Sequence, residues 1–277
     1  MNDAMKHVSQ LLKKYGLRPR KGLGQNFLVS GEILRKMVSA AGVESTDTVL
    51  EVGPGLGGLT LVLAAAARRV VAVEIDRDLL GPLEEVLAGA ENVRLVHGDI
   101  LAVDLAALVP PDEPYLVVAN IPYYITSAII RRLLESGHPP RRLVLTVQQE
   151  VAARICAGPP DMNLLGLSVG VYGRPEIVLR IPAGAFHPVP KVDSAMVRVD
   201  VYDAPLFPPE SLDLFFRLAR AGFSQKRKTL RNSLSAGMGW TKDLTQAVLE
   251  AAGVDPMRRA ETVSFEEWGA ILEVPRE

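Results

Sequence analysis

A chain of 277 residues, 48% apolar and 23% charged, can bury a substantial core and suits one large domain with a smaller one. Its single cysteine, Cys156, excludes an intrachain disulfide and a thiol-based zinc cluster and fits a reducing compartment. The net charge of −1 argues by itself against a polyanionic partner.

Residues 3–15 read as a helix whose apolar pattern is broken by Lys13-Lys14, and Gly16 to Phe27 form a glycine-rich, basic loop. Ser30 is placed to cap a helix through about Ala41. From Thr48 the pattern alternates. Strands are expected at Thr48–Val52, Arg69–Ile75, Val93–His97, Tyr115–Ala119 and Leu143–Val147, and helices at Leu59–Ala67, Asp78–Ala88 and Ser127–Ser136. The strand runs are almost continuously apolar, as burial on both faces of a parallel sheet requires.

After Val147 the pattern changes. Gln148–Cys156 reads as a helix and Ala157 to Asn163 as a loop. Glu176–Ile181 and Ala195–Val201 read as strands with only a proline-rich loop between them, so they should pair antiparallel. Five parallel strands and then an antiparallel pair is the plan of a class I methyltransferase: α/β, with a Rossmann-like seven-stranded sheet whose last strand is antiparallel. From Pro208 only helical patterns follow, at 209–222, 227–236, 241–252 and 264–272. Ala204-Pro205 and Pro208-Pro209 mark a boundary, giving an expected catalytic domain at 1–204 with a basic N-terminal extension and a small helical domain at 205–277. No uncharged apolar run reaches the roughly 18 residues of a membrane span and no secretory signal is evident, so a soluble, cytoplasmic protein is expected.

The distribution of charge qualifies its sum. Between Asp3 and Glu32 there is no acid, while Lys6, Lys13, Lys14, Arg18, Arg20 and Lys21 fall there. Between Asp213 and Asp243 the same holds, with Arg217, Arg220, Lys226, Arg227, Lys228, Arg231 and Lys242. Two solvated helix faces would account for this; a basic nucleic-acid surface accounts for both segments at once. His7, His97, His138 and His187 lack helical ligand spacing, so no metal is expected. Cys156 is expected to be a small, buried apolar side chain.

Chemistry-bearing residues gather where the strands end. Ligands of open α/β sheets bind just past the carboxyl ends of the strands. Glu51-Val52-Gly53-Pro54-Gly55-Leu56-Gly57-Gly58 ends the first strand and opens a helix. Gly53, Gly55 and Gly58 also fit a dinucleotide fingerprint, so the loop alone is ambiguous. Glu51, inside the strand, can accept from a cationic or amino group or brace the loop, and would repel a pyrophosphate. Glu74 ends the second strand and suits ribose hydroxyls. Asp99, after the third, suits the exocyclic amine of an adenine, with Ile100 against the ring. Three acids in register favour a nucleoside that carries positive charge and no phosphate, which describes S-adenosyl-L-methionine. Asn120-Ile121-Pro122-Tyr123 ends the next strand. It reads either as a turn or as a site where an amide and an aromatic ring meet a nucleobase.

These stretches resemble the ribosomal RNA adenine N6-dimethyltransferase family, most closely its bacterial small-subunit (16S) members. The resemblance rests on Lys21-Gly22-Leu23-Gly24-Gln25-Asn26-Phe27-Leu28, Glu51–Gly57, Val73-Glu74-Ile75-Asp76 and Gly98-Asp99. It continues through Asn120-Ile121-Pro122-Tyr123-Tyr124, Phe186-His187-Pro188-Val189-Pro190-Lys191-Val192-Asp193-Ser194 and Phe223-Ser224-Gln225-Lys226-Arg227-Lys228-Thr229-Leu230. It implies that Asn26 and Leu28 close over the cofactor, that Gly53 lies against its methionine part, Glu74 on its ribose and Asp99 on its adenine, and that Asn120 meets both cofactor and target base. Glu51, Gly55, Ile75 and Ile100 complete the expected cofactor set.

The implied reaction is double methylation of N6 on two adjacent adenosines near the 3′ end of 16S rRNA, in the immature small subunit, by a monomer. The Asn120 oxygen and the Ile121 carbonyl would accept the two N–H bonds of N6, and Tyr123 and Phe186 would stack on the base, with Pro122 shaping the turn. Arg18, Arg20, Lys21, Arg220, Lys226, Arg227, Lys228 and Arg231 are the expected RNA contacts. The alternatives are a 23S rRNA adenine dimethylase, a DNA adenine methyltransferase, a non-catalytic rRNA-binding assembly factor and a nicotinamide-dependent oxidoreductase.

Overall fold

The computed structural model describes residues 3–275, with side chains from Val8 onward, so Lys6 and His7 lie outside the described side chains. The chain forms two units: the part up to Ala152 with Pro175–Val201, and Ala153–Arg174 with the part from Tyr202 on.

In the first unit, α1 (Asp3–Lys14) leads through a glycine-rich loop into β1 (Phe27–Leu28) and α2 (Gly31–Ala41). The Ser30 side chain caps α2 by accepting from Ile33 N–H. There follow β2 (Thr48–Val52), α3 (Gly58–Ala64), β3 (Arg69–Glu74), α4 (Leu80–Leu87), β4 (Val93–His97), α5 (Leu105–Leu108), β5 (Tyr115–Asn120), α6 (Thr126–Leu134) and β6 (Arg142–Gln148). In α7 (Gln149–Ile155) the chain passes into the second unit for α8 (Leu164–Gly170), and it returns along β7 (Gly173–Ile181), β8 (Phe186–His187) and β9 (Ser194–Val201).

The main sheet has the order β4-β3-β2-β5-β6-β9-β7. Strands β2 to β6 pair parallel, and β9 runs antiparallel to β6 from Arg142↔Asp200 to Gln148↔Ser194. All five residues of β2 are buried, as are Val70–Glu74 of β3 and Tyr115–Ala119 of β5, so their apolar runs face helices on both sides. On one face Leu34, Met37 and Val38 of α2 and Leu59 and Leu63 of α3 pack with Val49, Leu116, Val144 and Met196. A second cluster joins Val8 and Leu12 of α1 to Phe27, Leu56, Leu79, Leu83 and Leu87.

The order of the sheet decides where a ligand can go. From β2 the chain builds outward to β3 and β4 on one side and to β5 and β6 on the other. The loops after β2 and β5 therefore diverge and leave a crevice between them.

The second unit is helical: α8, α9 (Pro209–Phe223), α10 (Leu230–Met238), α11 (Lys242–Ala251) and α12 (Phe265–Glu273). Trp268 and Phe215 are fully buried and meet edge to face. Glycine lets α9 and α10 cross closely, since a Cβ on Gly237 would stand 2.5 Å from that of Ala221. Ser264 and Glu267 form a reciprocal capping box at the start of α12.

Residues 153–174 group with these helices, not with the domain at 1–204 in which they were expected. The physical reason is local. Asn163 caps α8 through Leu165 and Gly166 N–H, Met162 N–H donates to the Glu261 carbonyl at 3.0 Å, and Gly170 admits the ring of Phe265. Cys156 is half-buried, not the fully buried side chain anticipated.

Candidate active site

The crevice at the divergence of β2 and β5 is an open cleft at the carboxyl ends of the parallel strands. Gly53 and Gly55 form one wall, both with positive φ, +68° and +62°. Gly53 N–H still pairs with the Val73 carbonyl at 2.9 Å, so the turn is an extension of the β2–β3 ladder. A Cβ on Gly53 would meet nothing within 4 Å, so the open side of the turn is available to a ligand. A Cβ on Gly55 would stand 3.0 Å from the Phe27 ring. The other walls are Glu74 and Ile75, Gly98 to Ile100, Asn120 to Ile125, and the Leu23–Phe27 stretch.

The three acids differ sharply. Glu74 is buried at the cleft wall. Its Oε2 accepts from Gly55 N–H at 3.1 Å and its Oε1 from Asp76 N–H at 2.8 Å, so it braces the glycine turn. Burial raises its carboxyl above the usual range, against the lowering effect of those N–H bonds. Asp99 is half-exposed, and its Oδ1 caps Leu101 N–H at 2.9 Å. Glu51 does not line the cleft. It is fully buried beside Thr60, its Oε2 meets no donor, and burial pushes its carboxyl up to about 8. Glu51, expected among the cofactor contacts, thus stands behind the cleft lining in the core of β2.

Asn120 is the last residue of β5, and its Nδ2 donates to the Asn26 carbonyl at 2.9 Å. With the nitrogen so engaged, Oδ1 is the atom left to accept from a ligand. The Tyr123 hydroxyl shares a 2.6 Å hydrogen bond with the fully buried Ser194, which holds the ring in place. Burial raises the Tyr123 hydroxyl, so it stays protonated at neutral pH. Tyr124 is 61% exposed at the rim, and Gly24 (φ +62°) fits against it and Pro122.

Besides Glu51, two further residues expected at the site lie outside the cleft lining. Phe186 is fully buried in the main core, paired through β8 with Leu28 of β1, and offers no face to an incoming base. Leu28 lies in the same core and outside the cleft lining. Both sit in a two-stranded ribbon that turns their side chains inward. Asn26, Gly53, Gly55, Glu74, Ile75, Asp99, Ile100, Asn120, Ile121, Pro122 and Tyr123 all line the cleft. So do Gln25, Phe27 and Tyr124, which carry no separate signal in the sequence beyond the stretches they belong to.

The basic residues also divide. Arg18 and Lys21 are exposed, whereas Arg20 is engaged with Asp76 at 2.7 Å and with Asp78. In the second unit Arg220 is exposed at the end of α9, and Lys226, Arg227 and Lys228 are exposed in the loop before α10. Arg231 is half-buried and donates to Gln246 at 2.6 Å. No helix is long and apolar enough to cross a membrane, and no group of three or more His, Cys, Asp or Glu is placed to hold a metal, among the described residues.

Residues 16–274 match the family model of the ribosomal RNA adenine dimethylases. The chain belongs to that family. It is 48% identical to the ribosomal RNA small subunit methyltransferase A of Dehalococcoides mccartyi (strain CBDB1) over 264 residues, 95% of this chain and 91% of that one. It is 46% identical to the protein of the same name from Moorella thermoacetica over 271 residues, 94% of each. Among solved structures it is similar to the 23S rRNA methyltransferase ErmE (31% identity, TM-score 0.72, 90% of this chain and 98% of that one). It also shares its fold with a dimethyladenosine transferase from Plasmodium falciparum (26% identity, TM-score 0.76, 88% and 95%). The protein is thus a methyltransferase of the Rossmann-like rRNA-modifying type.

Proposed function

We propose that the protein transfers methyl groups from S-adenosyl-L-methionine to N6 of two adjacent adenosines near the 3′ end of 16S rRNA, giving dimethyladenosines during small-subunit assembly. The observation that carries this reading is the amide of Asn120. Its donor is engaged by Asn26 at 2.9 Å, and its acceptor remains at the end of β5, beside a cleft suited to a nucleoside.

The cleft chemistry fits the methyl donor. Its described lining contains the carboxylates of Glu74 and Asp99, backbone groups, apolar side chains and amides and no Lys, Arg or His, a set that suits a nucleoside carrying positive charge. Gly53 would face the methionine part, Glu74 the ribose hydroxyls and Asp99 the adenine amine, with Ile75 and Ile100 against the ring. When bound, this cofactor supplies an electrophilic methyl group on a cationic sulfur.

The N6 lone pair of adenine is delocalised into the ring and attacks poorly. Acceptance of its N–H bonds by Asn120 Oδ1 and the Ile121 carbonyl draws the nitrogen toward tetrahedral geometry and stabilises the positive charge that develops on it. Tyr123 offers a ring of fixed orientation for stacking. Positioning supplies most of the acceleration, and the methylated nitrogen loses its proton to water. The target base must leave its stack to enter.

The relatives at 46–48% identity carry small-subunit names, which favours 16S over 23S rRNA. Lys226, Arg227, Lys228 and Arg220 would contact RNA phosphates, with Arg18 and Lys21 from the other unit. The protein would act as a cytoplasmic monomer. Labelled methyl transfer to immature small subunits, naked 16S RNA and 23S RNA, run in parallel, tests the proposal. Label in adjacent 16S adenosines is expected, and label in 23S RNA alone would overturn it.

A further inference from the structure

One buried carboxylate near the cleft takes no part in that chemistry. Asp76 follows β3 by two residues, its side chain is 3% exposed, and it does not line the cleft. A buried carboxylate is costly unless satisfied. Two of its partners come from one segment, the loop of residues 20–26. Oδ1 accepts from Arg20 Nη1 at 2.7 Å, and Oδ2 accepts from Gln25 Nε2 at 2.6 Å. With its nitrogen so placed, Gln25 turns its Oε1 back to the Arg20 N–H at 2.7 Å. Leu23 and Gln25 N–H close on the Arg20 carbonyl at 3.1 and 3.3 Å. The next residue is Asn26, whose carbonyl receives the Asn120 amide.

We infer that Asp76 is a positioning residue for methyl transfer: through Gln25 and the 20–26 loop it holds the Asn26 carbonyl where that carbonyl orients the Asn120 side chain. The inference rests on the proposed role of Asn120 Oδ1 as acceptor for N6. A primary amide has two orientations of almost the same shape, and a half-turn presents a donor to N6 where an acceptor is needed. A carbonyl at 2.9 Å selects one of them. Water in its place donates as readily as it accepts and selects neither. Loss of the Asp76 tether therefore acts on the chemical step.

The test uses the full-length protein on immature small subunits at saturating S-adenosylmethionine. In Asp76→Asn the new amide nitrogen faces the Gln25 amide nitrogen, donor against donor. A fall in kcat of about ten-fold or more is expected, the size of losing a charge-assisted hydrogen bond. Gln25→Glu in that background restores an acceptor opposite the new donor and should recover most of the loss. Gln25→Ala breaks the same link from a half-buried loop position without altering the buried carboxylate, and should lower kcat alike. Because Gln25 also lines the cleft, its variant is read together with cofactor affinity by titration: if Asp76→Asn does not fold, a lower kcat in Gln25→Ala at unchanged cofactor affinity supports the inference, and a loss of cofactor affinity overturns it. Unchanged kcat in the folded variants, a loss confined to KM for the cofactor, or no recovery in the double variant would overturn the inference. Failure of the wild-type protein to methylate any RNA would instead overturn the functional reading itself.

Discussion

Asn120 donates its side-chain amide to the Asn26 carbonyl, 94 residues earlier in the chain, across a distance of 2.9 Å. The contact joins the end of a buried strand to a basic loop and fixes which atom of the amide faces the cleft. Replacement by alanine removes the acceptor while leaving Glu74, Asp99 and the glycine turn intact. Asn120→Ala should abolish methyl transfer with cofactor binding retained in titration calorimetry. Asn120→Asp should also be inactive, because a carboxylate opposes the Asn26 carbonyl. Full activity in either variant would remove Asn120 from the mechanism.

Glu51 makes stability depend on pH. Its folded carboxyl, pushed up to about 8 by burial, binds its proton more tightly than the unfolded chain does, whose value is 4.5. Its contribution is complete below the unfolded value and is lost as pH rises through the folded one. Glu51→Gln abolishes this titration. The melting temperature of Glu51→Gln relative to wild type should climb between pH 4.5 and about 8 and then level off. A gap that is flat with pH would show that Glu51 does not carry its proton in the fold.

The glycine turn tolerates no side chain at Gly55. Its φ of +62° strains any L-residue, and a Cβ would meet the Phe27 ring at 3.0 Å. Gly55→Ala should cost about 1–2 kcal/mol of stability, seen in denaturant melts. It should also weaken cofactor binding, because both Gly55 and Phe27 line the cleft.

Phe186 separates packing from base recognition. Its burial predicts that Phe186→Ala costs about 3–5 kcal/mol. Phe186→Leu should cost under about 1.5 kcal/mol and keep kcat near wild type. A collapse of kcat in Phe186→Leu with unchanged stability would restore the stacking role expected from sequence.

The exposed loop before α10 should dominate the ionic part of RNA binding. Reversal of Lys226, Arg227 and Lys228 to glutamate should weaken RNA affinity and flatten its dependence on salt by about two to three units of logarithmic slope. The same variant should bind S-adenosylmethionine normally. Arg231→Ala, which breaks a bond to Gln246 within the unit, should lower stability more than it lowers the salt slope.

The central strands could be read from sequence because a strand buried on both faces is apolar almost throughout, and Thr48–Val52 and Tyr115–Ala119 need no distant information to declare themselves, whereas Val93–His97 is a partly exposed edge strand that its Val and Leu residues alone betray. The strand-end residues were legible for the same reason: once the strands are placed, Gly53, Glu74, Asp99 and Asn120 follow, and parallel pairing brings their ends to one edge. Helix α8 was not legible, since Leu164–Gly170 carries two glycines and its stability comes from the Asn163 cap and from Phe265, a hundred residues later.

The ribbon of β1 and β8 has only two residues a side, too few for any periodicity, yet its pairing decides that Leu28 and Phe186 belong to the core. Charge was legible as a run but not as an assignment. Arg18, Arg20 and Lys21 look alike in sequence, and only the approach of Asp76 and Asp78 gives Arg20 a partner. Local patterning thus determined the elements, their order and the residues at the strand ends. Tertiary structure alone decided which of those residues are solvated, which are neutralised by burial and which way the Asn120 amide points, because each depends on atoms brought together from far apart in the chain.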